Sequence, residues 1–84
     1  MKALLIWIEF PEDYKIYEIS GKENIDLAKK CQNRFVNNDD DEQEELYKLS
    51  IMLEESNSSI NLLSRSNPID TKNYSCVIVS GFFM

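Results

Sequence analysis

Eighty-four residues, 43% of them hydrophobic and 29% charged, make one small domain (1–84) with a modest core and exclude a chain disordered throughout. Nine basic residues against 15 acidic ones leave a net charge of −6, which speaks against direct contact with nucleic-acid phosphates or an anionic membrane. The partner such a charge attracts is a basic protein surface.

The chain opens on MKALLIWIEF, which has the lysine and apolar run of a signal peptide. Glu9 and Pro11 interrupt that run, and no small-residue cleavage site follows it. No apolar stretch approaches the roughly 20 residues that span a bilayer. The expected location is therefore cytoplasmic, in the host cell if the chain is viral. Ala3–Phe10 reads as a strand that is apolar on both alternations, with Leu4, Ile6, Ile8 and Phe10 on one and Leu5 and Trp7 on the other. Such a strand belongs in the middle of a sheet. Pro11–Asp13 is turn chemistry, and Tyr14–Ile19 alternates as the return strand of a hairpin.

Ser20 and Glu23 then have capping-box spacing, with a helix start nearer Lys22–Asn24 as the alternative. Ile25, Ala28, Cys31 and Phe35 recur at helical spacing, and Lys29, Lys30 and Arg34 fall in the last turns, where the dipole favours cations. Leu46, Leu49 and Leu53 mark a second helix that runs to about Glu55. Ile60–Ser64 has the look of a short helical turn, and Tyr74–Phe83 of a final strand. The predicted fold is α+β in the order β-β-α-α-β, a small three-stranded antiparallel sheet with two helices packed on one face. The last strand is expected beside the first, where two doubly apolar strands bury each other best. Two helices leave one sheet face bare, and Trp7, Tyr17, Val77, Val79 and Phe83 compete for it. Together with an unprotected C-terminal edge, that points to a homodimer or to partner binding.

Little of the chain is chemically pointed. It has no histidine, which removes the residue best suited to acid–base work near neutral pH and to most zinc sites. Its two glycines, Gly21 and Gly81, cannot build a phosphate loop. A carboxylate pair working as in a glycosidase needs a deep cleft that a chain of this size hardly provides. Cys31 and Cys76 fit neither a metal spacing nor a redox motif and suit buried thiols. No enzyme activity, cofactor or metal is expected.

The stretch FVNNDDDEQEELYKL stands apart, because Asp39, Asp40, Asp41, Glu42, Glu44 and Glu45 fall within seven positions. A calcium loop does not account for them. Asn37, Asp39 and Asp41 alternate as an EF-hand start does, but Glu42 occupies the glycine position and Lys48 the position of the bidentate glutamate. Helix chemistry accounts for some. Carboxylates in a first turn complement the free N–H groups, and Asn38, Asp39 or Asp40 would serve as N-cap. Six exceed that role, since like charges three or four apart repel. The remainder fits an electrostatic footprint that steers the chain onto a basic groove.

In being small, acidic and without evident catalytic residues, the chain is similar in type to proteins that viruses use to block host defence, such as anti-CRISPR-like or nucleic-acid-mimic proteins. The expected function is a non-enzymatic inhibitor of a larger nucleic-acid-handling or host-defence protein. Its partner-binding residues would be Asp39, Asp40, Asp41, Glu42, Glu44 and Glu45 with Trp7, Tyr17 and Phe83. The alternatives are a structural subunit, or an oligomeric binder of a nucleotide-like molecule. In that binder Trp7, Tyr14 and Tyr17 stack the base while Lys29, Lys30 and Arg34 hold phosphate.

Overall fold

The computed structural model describes residues 1–9, 13–36, 43–55, 58–66 and 68–82. Its elements are β1 (Lys2–Glu9), β2 (Asp13–Ser20), α1 (Lys22–Lys30), β3 (Phe35–Val36), α2 (Glu44–Glu54), β4 (Ile60–Leu63), a 3-10 turn (Thr71–Asn73) and β5 (Cys76–Phe82). The class is α+β, as the pattern predicts. The sheet, however, has five strands in the order β3-β5-β1-β2-β4 and is mixed, not three-stranded and antiparallel.

β1 lies at the centre. It pairs antiparallel with β2, from Lys2↔Ser20 to Glu9↔Asp13, and parallel with β5, from Ala3↔Cys76 to Glu9↔Phe82. The last strand is thus beside the first, but it runs in the same direction. The reason lies in β4, which pairs antiparallel with the far side of β2 and so aligns with β1. From there the chain crosses over to start β5 level with the start of β1. Nor is β5 an edge, since β3 pairs with its other side at Phe35↔Gly81 and Val36↔Phe82.

Three local expectations fail for identifiable reasons. Ser20 does not cap α1: Gly21 occupies that position at φ +93°, and the Ser20 hydroxyl donates to the Ser59 carbonyl. The helix stops before Phe35 because Asn33 takes a left-handed φ of 61°, a conformation asparagine tolerates. Its N–H then donates to the Val79 carbonyl at 2.7 Å, which ties the following residues to β5 as β3. Ile60–Leu63 is a strand and not a helical turn, because Ile60 pairs with Ile19 and enters the core.

The two alternations of β1 have different fates. Ala3, Leu5 and Trp7 join Tyr17, Ile19, Ile60 and Ile78 in a core closed by Ile25 and Ala28 of α1, by Cys31, and by Leu46, Leu49 and Leu53 of α2. Each large side chain buried there contributes about 1.5–3 kcal/mol. Trp7 is only 3% exposed and Tyr17 8%, so neither lies on a bare face. The helices chose the alternation that holds the indole, the largest apolar surface in the chain. The other alternation is the one left open by the helices. There Leu63, Ile16, Ile6 and Val79 form one cross-sheet row, and Leu4 and Val77 stand in the row beside it.

Part of that open face is closed by the crossover. The Tyr74 hydroxyl donates to Glu18 Oε2 at 2.8 Å, Ser75 N–H donates to the Lys2 carbonyl at 2.8 Å, and Leu4, the cross-strand neighbour of Glu18, is buried. The Tyr74 hydrogen bond, helped by Lys2, holds the Glu18 carboxyl below its usual range against the opposing effect of burial. A depressed carboxylate stabilises the fold above its unfolded pKa and loses that contribution as pH falls through the folded value. Acid unfolding of the parent should therefore include a decline beginning below about pH 4.5 that is reduced in Tyr74→Phe. Parallel pH–stability curves for the two proteins would contradict the assignment.

Gly81 sets how closely β5 approaches β1. Its φ is +156°, and a Cβ there would collide with the Ile8 carbonyl oxygen and lie 2.7 Å from the Ile8 nitrogen. Both obstacles are backbone of the central strand, so they cannot move aside alone. Gly81→Ala is expected to cost more than about 3 kcal/mol in urea unfolding, whereas Gly21→Ala, whose Cβ would meet only the Asn24 side-chain amide at an ordinary contact distance, should cost about 1–2 kcal/mol from its positive φ. Equal losses would remove the packing argument.

Candidate functional site

α2 carries the charged feature that the sequence singles out. Its cap position is Gln43, not one of the residues 38–40, and no side chain among the described residues caps the helix. Glu44 and Glu45 form the first turn, where free N–H groups favour negative charge. The Glu44 side chain is 82% exposed even while it reaches Lys48 Nζ at 3.2 Å. Glu45 Oε2 accepts from Arg34 Nη1 at 3.1 Å, so the basic end of the first helical segment and the acidic start of the second screen each other. Exposed pairs of this kind contribute about 0–1 kcal/mol. Leu46, Leu49 and Leu53 fix the helix to the core, which makes its first turn a firm platform. Asp39, Asp40, Asp41, Glu42 and Phe83 lie outside the described residues.

Gln43 is the exception to good packing. It is 1% exposed, and neither its amide nitrogen nor its amide oxygen has a hydrogen-bond partner among the described residues. Nothing in the sequence signals this, because a glutamine amid acidic residues reads as surface.

Trp7 and Tyr17 do not join the acidic turn. They sit inside the core, and burial raises the Tyr17 hydroxyl pKa, an effect partly offset by Lys15. The aromatic and basic residues of the ligand-binding alternative are not brought together either. Tyr14 pairs with Ile8 and faces away from Trp7, Lys29 and Lys30 end α1, and Arg34 holds Glu45. Clefts among the described residues include one of about 290 Å³ lined by Leu63, Pro68, Ile69 and Tyr74 and one of about 220 Å³ lined by Tyr14, Lys15, Leu62 and Arg65. Both fall below the usual range of small-molecule pockets, roughly 300–1,000 Å³. Among the described residues, no group of three or more acidic, cysteine or histidine side chains is placed to hold a metal ion. Among the described residues, no helix is long and apolar enough to cross a membrane.

The two thiols are free. Cys31 is buried in the core, which pushes its pKa up, while Cys76 is half-buried. The sequence missed one feature altogether, the outer strand β4 and the Arg65 that follows it. That guanidinium lies 3.1 Å from Asp13 and 4.9 Å above the Tyr14 ring. Reading 60–64 as a helical turn concealed both.

No significant match to the chain was found among protein-family models, curated proteins or solved structures.

Replacing Gln43 with Leu removes two polar atoms that are buried without partners among the described residues. The variant should gain about 1–2 kcal/mol in urea unfolding, with a raised Tm. A loss of stability would show that the amide is satisfied in solution.

Proposed function

We propose that this chain is a non-enzymatic acidic regulator that binds and blocks a larger protein bearing a basic, nucleic-acid-handling surface. The observation that carries the reading is the start of α2. An exposed Glu44 stands on a helix fixed by three buried leucines, and only Gln43 separates it in the chain from Asp39, Asp40, Asp41 and Glu42. Charge of one sign on a firm support orients an encounter without the loss of order that a flexible acidic tail suffers on binding. Carboxylates so placed occupy positions that phosphates would take in the partner's groove. The net charge of −6 adds long-range attraction to the same surface.

The test uses a partner captured from lysate on the immobilised chain, followed by stopped-flow association. Asp40→Asn, Asp41→Asn and Glu44→Gln are combined, and Glu45 is kept because it holds Arg34. The association rate at low salt should fall about tenfold, and the difference should shrink as salt screens exposed charge beyond roughly 8–10 Å. An unchanged rate at low salt would reduce the acidic run to helix chemistry.

A further inference from the structure

We propose that the free side of β4 is a docking edge for an extended, basic segment of the partner protein, which adds a strand beside Ile60–Leu63. This rests on the reading of the chain as a binder of basic proteins, and it assigns a second, separate surface.

Among the described residues, β4 is the outermost strand on its side of the sheet and pairs with β2 alone. Its sequence, INLL, contains no charge and no proline, the usual means by which an edge refuses another strand. Leu62 faces the helix side, opposite the buried Tyr17, yet is 63% exposed. Tyr47 and Ile51 of α2 are also exposed, one turn apart, and Glu54 continues their stripe. Only five residues separate the end of α2 at Glu54 from the start of β4 at Ile60, and Leu53 shares the core with Tyr17 and Ile60, which places the end of this stripe near the strand pair that carries Leu62. An added strand would cover Leu62 from outside the present sheet.

Charge specifies the occupant. The cations around this edge are already taken: Lys15 by Glu9, Lys48 by Glu44 and Arg65 by Asp13. Glu54 and Glu55, both exposed, form no ion pair among the described residues. They close α2, whose last turn holds no basic residue, so their charge adds to the negative end of the helix dipole. This is the charge of the edge that lacks compensation, and a lysine or arginine on an incoming strand supplies it. A second copy of this chain is the poorer occupant, since it brings −6 to meet −6.

The probe is a ten-residue peptide alternating Val and Lys, titrated into the ¹⁵N-labelled chain beside a Val–Glu peptide of equal length. The Val–Lys peptide should shift the amides of Ile60–Leu63 and slow their hydrogen exchange, with the Val–Glu peptide binding at least about tenfold more weakly. Glu54→Gln with Glu55→Gln should weaken the response, and Leu62→Lys should abolish it while leaving the rest of the spectrum in place. Neutralising Asp40, Asp41 and Glu44 should leave it intact, so failure here is distinct from failure of the acidic-turn reading. Absent or scattered shifts, or equal binding of the two peptides, would overturn the proposal. So would β4 shifts that appear without peptide as the protein is concentrated, because a second copy would then hold the edge.

Discussion

The structure depends on β1 having two apolar faces and a hydrogen-bonded neighbour on each side. A strand with Leu5 and Trp7 on one alternation and Leu4, Ile6 and Ile8 on the other loses most when left at an edge, so β2 and β5 enclose it. The parallel pairing with β5 succeeds because Gly81 lets the two backbones meet where a side chain would strike Ile8. Once β1 is central, the helices can cover only one of its faces. They cover the indole, and the crossover from β4 to β5 then shields the Leu4 end of the other. Each later feature follows from that allocation.

Covering Trp7 has a functional consequence. Trp7 and Tyr17, which the sequence sets on a recognition surface, are spent on the core, so under the proposed function recognition falls to charge and to strand edges. α2 displays the result at both ends. Glu44 and Glu45 at its start agree with the dipole and need no further reason, although their exposure gives them one. Glu54 and Glu55 at its finish oppose the dipole and form no ion pair among the described residues. An unhelpful charge beside an unprotected strand is the pattern expected of an edge whose partner is another molecule.

Much of the fold was legible in the sequence. The doubly apolar β1, its hairpin with β2, the leucine stripe of α2 and the placing of the last strand beside the first all follow from periodicity. What failed was decided at a distance. Nothing local to Ile60–Leu63 separates a short strand from a helical turn, since the pairing with Ile16–Ile19 decides it. Phe35 continues the helical spacing of Ile25, Ala28 and Cys31, but Asn33 ends the helix by a bond to Val79, 46 residues further on. The alternation of β1 cannot say which face the helices take, and so the sequence set Trp7 and Tyr17 outside. For the site, Glu44 and Glu45 were legible as a helix start, whereas the β4 edge was not, because its existence depends on the unforeseen strand.

Accessibility of Trp7 tests this allocation most directly, since it is the sole tryptophan and no other indole confuses the signal. Acrylamide, being uncharged, avoids the repulsion that an anionic quencher would meet from an acidic protein. The structure predicts blue-shifted emission and quenching several-fold weaker in the folded chain than in urea. Emission and quenching equal to those of the unfolded chain would place Trp7 on the surface and reverse the assignment of faces.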